Sequence, residues 1–346
     1  MLDRLGVLKA VDAGAAAIHG MRITAPDGTA VTGHYRDVGA WRPYRQHAMG
    51  VAREILDGAL IERVRALPLD LREQTRVVDL ADRATVRSAG SASRIATRAS
   101  TICTRDWWWA PTAAPRWSPS GSAAAGSHAL RRMALVTYVA GLESCRDLGE
   151  IFVDPPDYAI LNPIAPDRAN LALVVPLEHG ARWSDRLDDF MAARVRQLPH
   201  LARRLAGATR VAPIRALGPL AHRVEPPRAD GVLLVGDAGG FYDPFTGEGV
   251  FTALRSAELA VATIVRALRS GDVSARALAG YERARREVFS GKERVTQALQ
   301  FLIRHRRLAN FAVSRAGPAR PAALDALLGV FGDYVPPRAL PAALRG

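Results

Sequence analysis

"GVLLVGDAGGFYDPFTGEGVFTALRSAELA" runs from Gly231 to Ala260, and its order of apolar, glycine-rich and helical positions decides how the rest of the chain is read. Val232 to Val235 form a continuous apolar run, which suits a strand buried on both faces. The run ends in Gly236-Asp237, so Asp237 stands at the carboxyl end of a strand, where open α/β sheets place their ligands. Gly239, Gly240, Gly247 and Gly249 follow, with Pro244 among them. Such a loop lets backbone come close to a flat ligand. It feeds straight into a helix, whose first N–H groups are unpaired and sit at the positive dipole end. That end favours an anion or an electron-rich carbonyl edge. The plainer alternative is a strand–turn–helix crossover that binds nothing.

The chain around it has 346 residues, 49% of them hydrophobic, enough for two domains or one two-lobed enzyme. Two cysteines, Cys103 and Cys145, give no disulfide framework and point to a reducing cytoplasm. The N-terminal "MLDRLGVLKAVDAG" lacks the apolar core of a signal peptide, and no apolar run is long enough to span a bilayer. The net charge is +13, yet Lys9 and Lys292 are the only lysines, so 45 of the 47 basic residues are arginine. That bias is what a GC-rich coding sequence produces. The arginines are scattered apart from small clusters such as "RHRR" at 304–307, and no recognition motif accompanies them, so nucleic-acid binding is not expected. Peripheral contact of the basic C-terminal part with a membrane surface is the better reading of the charge. No P-loop lysine, HExxH or nucleophile elbow is present. His19, His34 and His47 are dispersed, without a catalytic role.

Residues near 2–17 read as a helix, and Met21–Arg36 as two strands about an Asp27-Gly28 turn. "AREILDGALIERVRAL" reads as an amphipathic helix with Ile55, Leu56, Leu60, Ile61 and Val64 on one side. "RVVDLAD" and "ATVRSA" look strand-like. "RMALVTYVAGL", "GEIFVDPP", "YAILNPIA" and "ANLALVVPL" read as successive strands of an antiparallel sheet. "WSDRLDDFMAARVRQLPHLARRL" reads as helix, "VAPIRALGPL" as strand, and the chain from Leu278 onward as mostly helical.

"GDAGGFYDPFTGEGVFTALRSAELA" resembles the second flavin-binding motif of FAD-dependent oxidoreductases, in particular geranylgeranyl reductase-like enzymes and aromatic-ring hydroxylases. The resemblance implies that Asp237 holds the ribityl chain of FAD, with Gly236 also among the cofactor-binding residues. The Gly247-Glu248-Gly249 turn and the helix start at Val250 would face the flavin pyrimidine and steady negative charge on the reduced ring, with Gly240 and Pro244 as further cofactor contacts. Arg53 takes the place of the arginine that reaches the FAD pyrophosphate; a solvated helix-start arginine is the equal alternative. "DYAILNPIA" resembles the strand lining the substrate cavity, with Tyr158, Asn162 and Pro163 as candidate substrate contacts. Tyr158 taken alone reads as core packing. Ile160 and Asn162 replace the family's Trp and Phe, which counts against a prenyl substrate. The family also opens with a strand–GxGxxG–helix–strand unit, roughly 30–50 residues. No GxGxxG follows a strand here, so the sequence is expected to lack that unit, to bind flavin poorly and to aggregate.

The implied fold is α/β: an FAD-binding Rossmann-like lobe (1–17, 41–132 and 229–290) interleaved with an antiparallel-sheet substrate lobe (18–40 and 133–228). A helical C-terminal region covers 291–346. The implied function is FAD-dependent oxidation or reduction of a hydrophobic small molecule, with NAD(P)H or another donor. The alternative is a non-catalytic remnant that binds FAD weakly or not at all.

One segment fits no element. "TRDWWWAPTAAPRWSP", Thr104–Pro119, holds four of the six tryptophans, with no period. Trp has one codon, so the frame starting on each third base is known: Asp106 through Ala110 must read Leu-Val-Val-Gly, and the next codons permit Ala-Asp-Gly-Arg. An "ADGR"-type motif is what the family carries here. Residues 95–127 are therefore expected to be out-of-frame translation.

Overall fold

The computed structural model describes residues 1–74, 102–104, 125–143, 147–180, 183, 186–225, 230–316 and 321–340. The aliphatic runs make one sheet of nine strands. Its middle is β5 (Ala125–Ala140), β6 (Asp147–Asp154), β7 (Asp157–Ala165) and β8 (Arg168–Pro176), antiparallel in the order β5-β8-β7-β6. β10 (Arg215–Val224) extends it beyond β5, and β1 (Ala15–Thr24) and β2 (Ala30–His34) beyond β6. The short β3 (Ala48–Val51) pairs with β1, and β9 (Thr209–Arg210) with β5. β1 and β2 meet at the expected turn, where Gly28 has φ +89°. The expected antiparallel sheet is in fact mixed, because β1 runs parallel to β6. A parallel pair needs a long connection, and the residues between β1 and β6 supply it.

Both faces of the sheet are covered, so β7 and β8 are buried along nearly their whole length instead of alternating. One face, with Leu135, Leu161 and Leu173, packs against α3 (Leu187–Gln197) and α4 (Pro199–Arg204) through Phe190, Met191 and Leu201. Pro199 splits what the sequence reads as one helix, since it has no N–H to continue the ladder. The other face, with Tyr158, Ile160 and Val174, meets Phe245 of the glycine-rich loop and Ile303 and Ala309 of the C-terminal helices. These are α6 (Ala275–Ile303), α7 (Arg306–Ala316) and α8 (Pro321–Phe331), the last packing on β2 through Leu324 and Leu328. Before them, α5 (Gly249–Ser270) follows the loop; with α6 it buries β11 (Leu233–Val235) through Ala260 and Tyr281. β11 pairs in parallel with β4 (Ile102–Thr104).

Two helix expectations need correction. The helix read over 2–17 is only α1 (Leu8–Asp12); β1 starts at Ala15 because Ala15–Ile18 pair with β3. Gly14 lies so near α2 (Arg53–Arg65) that a Cβ there would stand 2.7 Å from Ile55 Cδ1. In α2 itself, Leu56 is the only buried member of the predicted apolar stripe, packed on Val7 and Val11, and Ile55 is exposed. "RVVDLAD", "ATVRSA" and the tryptophan run lie outside the described residues. Within 95–127, the described pieces, Ile102–Thr104 and Ala125–Ser127, are strand.

Candidate functional site

The site is built where β11 ends. Gly236 has φ +57°, and its N–H donates to Ser256 Oγ at 2.7 Å, tying the strand end to α5. A Cβ on Gly236 would come within 3.2 Å of Ala253, so glycine is required by both conformation and space. Gly236–Gly239, which includes Asp237, form one 3-10 turn, closed by the Gly240 N–H donating to Asp237 O at 2.9 Å. The same carbonyl lies 2.8 Å from His222 Nε2, and His222 and Phe241 exchange backbone hydrogen bonds of 2.8 and 3.1 Å. The loop is thereby sewn to β10.

A second 3-10 turn, Pro244–Thr246, follows. Asp243 caps it, accepting from the Phe245 N–H at 2.9 Å, and Pro244 suits the first position because it has no donor to satisfy. Gly247 then turns at φ +70°, Glu248 follows, and α5 begins at Gly249. A Cβ on Gly247 would meet nothing within 4 Å, and one on Gly249 only Phe241, at 4.0 Å. The backbone here faces open space. Thr252 N–H makes the first i→i−4 bond of α5, to Glu248 O at 2.8 Å, so the amides of Gly249, Val250 and Phe251 precede the helical ladder.

Two buried ionic contacts hold this backbone in place. In the first, Tyr158 on β7 donates its hydroxyl to Asp243 Oδ1, and Arg132 on β5 brings Nη1 to 3.5 Å from Oδ2. All three are at most 5% exposed. Burial pushes the Asp243 carboxyl above the usual carboxylate range, with the Tyr158 hydroxyl and Arg132 pulling it back. Burial and the neighbouring carboxylate push the Tyr158 hydroxyl well up. The Tyr158 ring meets Phe245 edge to face at 5.3 Å. In the second contact, Lys292 on α6 sets Nζ 3.0 Å from Glu248 Oε1, 3.1 Å from Asp333 Oδ1 and 4.1 Å from the centre of the Phe251 ring. The Glu248 contact is an ion pair without hydrogen-bond alignment. Burial raises the Glu248 carboxyl against the pull of Lys292.

The structure thus gathers Gly236, Asp237, Gly240, Pro244, Gly247, Glu248, Gly249 and Val250 into one loop and helix start. Tyr158 joins them through Asp243; it is 1% exposed and its hydroxyl is already taken. Asn162 lies on the same face of β7 as Tyr158, its Oδ1 buried without a hydrogen bond. Pro163 falls on the opposite face by strand alternation, and its carbonyl sits against β3, where a Cβ on Gly50 would come within 1.8 Å. Arg53 opens α2, its guanidinium engaged by Asp57 at 2.8 to 3.1 Å. Sequence reading passed over Arg132, Asp243 and Lys292. The signals were a charge opening the apolar run of β5, an aspartate directly before Pro244, and one of only two lysines. The open backbone and helix start fit the flavin half of FAD.

No protein-family model matches the chain. Over 57 residues it is 47% identical to a digeranylgeranylglycerophospholipid reductase of Methanocella arvoryzae, covering 16% of this chain and 14% of that protein. Over 111 residues it is 30% identical to a 1H-pyrrole-2-carbonyl peptidyl-carrier-protein brominase of Pseudoalteromonas luteoviolacea, covering 32% and 27%. The chain therefore spans well under half the length of these two relatives. Among solved structures, a flavin-dependent brominase superimposes with a TM-score of 0.69 at 16% identity, over 99% of this chain and 85% of that one. The likeness establishes the fold: mixed α/β with a mixed sheet and a helical C-terminal part.

Proposed function

We propose that this chain, which fits the FAD-dependent oxidoreductase superfamily, binds FAD at Gly236–Val250 and acts as an FAD-dependent oxidoreductase on a hydrophobic small molecule, with NAD(P)H or another donor reducing the flavin. The observation that carries the reading is the bare backbone of Gly247 and Gly249 at the start of α5, open to space on the side where a Cβ would point. There the unpaired amides of the helix start would donate to an electron-rich ring edge, and Asp237 would accept from a hydroxylated chain. Tyr158, Asp243 and Arg132 hold the loop against the sheet, and Lys292 holds Glu248, so that the amides are preorganised. Bound FAD supplies the electron or hydride transfer.

A second reading is a remnant that binds FAD weakly or not at all, and the engagement of Arg53, the candidate for the pyrophosphate, by Asp57 favours it. Quenching of flavin fluorescence by the purified chain decides between them. Saturable FAD binding that falls in Gly249→Ala supports the first reading; no saturable binding supports the remnant. If flavin binds, oxygen consumption with NAD(P)H then separates monooxygenase or halogenase chemistry from double-bond reduction.

A further inference from the structure

We propose that the end of α6 and the outer face of α7 form a docking surface for an anionic lipid bilayer. Phe301, the third residue from the end of α6, is 57% exposed, and Phe311 on α7 is 63% exposed. These two open rings flank a basic run, the combination of apolar and cationic side chains that a helix lying at a membrane surface presents. Arg304, His305, Arg306 and Arg307 stand between them, all exposed. From Arg294 to Leu324 the sequence holds six arginines and no acidic residue. Arg307, Phe311 and Arg315 recur at helical spacing on the exposed side of α7, while Ala309 and Val313 on its other side are buried in the core.

The helix is fixed from behind. Asn310 Oδ1 accepts from the Asp27 N–H at 3.2 Å, and Arg306 pairs with Asp154. Neither phenylalanine is needed for that anchoring. Arg304, Arg307 and Leu308 also line an open cleft of about 700 Å3 with Pro155 and Pro156, room for a phosphate-bearing headgroup. Charge by itself would serve any polyanion. Exposed rings among arginines are what the boundary between headgroups and acyl chains takes, the rings entering the apolar layer and the guanidinium groups staying with the phosphates.

The test is sedimentation of the full chain with vesicles of phosphatidylcholine alone and of phosphatidylcholine mixed with phosphatidylglycerol. The expected result is binding to the mixed vesicles that weakens with salt. Arg304→Glu with Arg307→Glu should lower the partition coefficient by about tenfold or more. Phe301→Ser with Phe311→Ser should abolish most binding without changing the charge. Both pairs alter exposed positions, and an unchanged thermal melt confirms that the fold is intact. No binding to the mixed vesicles overturns the proposal. So does binding that survives loss of both rings and is matched by a DNA duplex, since the surface would then be a general polyanion patch.

Discussion

Replacing Tyr158 by Phe removes one oxygen from the point where the glycine-rich loop meets the sheet. The ring stays, with its edge-to-face contact to Phe245 at 5.3 Å and the Arg132 guanidinium 5.3 Å from its centre. What is lost is the hydroxyl donated to Asp243 Oδ1, which keeps only the Phe245 N–H at 2.9 Å. Tyr158 is 1% and Asp243 5% exposed, so water does not replace the donor. A hydrogen bond to a charged acceptor contributes about 1.5–3 kcal/mol, and that is the expected loss of stability. For a chain of 346 residues, unfolding entropy of about 0.7 kcal/mol per kelvin turns this into a Tm shift of about 2–4 °C. Urea unfolding measures it directly as a lowered midpoint at constant slope. Arg132→Met provides the contrast, since it strands a buried carboxylate and should cost about 3–5 kcal/mol. The sign of its pH dependence follows from Asp243, whose carboxyl burial raises. A raised folded value means stability that is full below the unfolded pKa and is lost as pH rises through the folded one. Without Arg132 that loss grows, so the variant's deficit should shrink as the solution is acidified. A Tyr158→Phe change within about 0.5 kcal/mol of wild type, or an Arg132→Met deficit that is the same at pH 5 and pH 7, would refute the idea that this contact docks the loop.

Gly249→Ala should leave the melting temperature unchanged or slightly raised, because the added Cβ meets only Phe241 at 4.0 Å and alanine favours helix. Flavin affinity measured by fluorescence should nevertheless fall; equal affinity would mean that the open backbone binds nothing. Lys292→Met should destabilise by about 3 kcal/mol, as it leaves Glu248 without its buried cation, and Glu248→Gln in that background should restore part of the loss in a double-mutant cycle. The Tyr281 hydroxyl, which donates to Leu234 O at 2.7 Å, is pushed up to about 12 by burial. Its stabilisation is full below pH 10 and is lost between pH 10 and 12, about 1.4 kcal/mol of it by pH 11. Urea unfolding at pH 9 and pH 11 should show Tyr281→Phe losing that much less than wild type on the way up.

What could be read from the chain alone was whatever a local pattern encodes. The apolar run Val232–Val235, the glycines and the following helical period place β11, the loop and α5 without any partner being known, and Gly236, Gly240 and Gly247 do take the positive φ that their type permits. The runs that became β5 to β8, and the Asp27-Gly28 turn, were legible for the same reason. Tertiary pairing decided the rest. A helical period is visible over 2–17, yet Ala15–Ile18 are strand because β3 lies beside them, and hydrogen bonds to a partner outweigh a weak local preference. The parallel pairing of β1 with β6 is equally invisible to periodicity. So are the contacts that hold the site. Tyr158 and Asp243 are 85 residues apart, and neither residue type announces the other. Lys292 reads as one more charge on a helix until the fold buries it between Glu248 and Asp333. Spacing along the chain records which face a residue turns inward. Only the packed molecule determines what it meets there, because a buried charge is tolerated where a distant partner arrives to satisfy it.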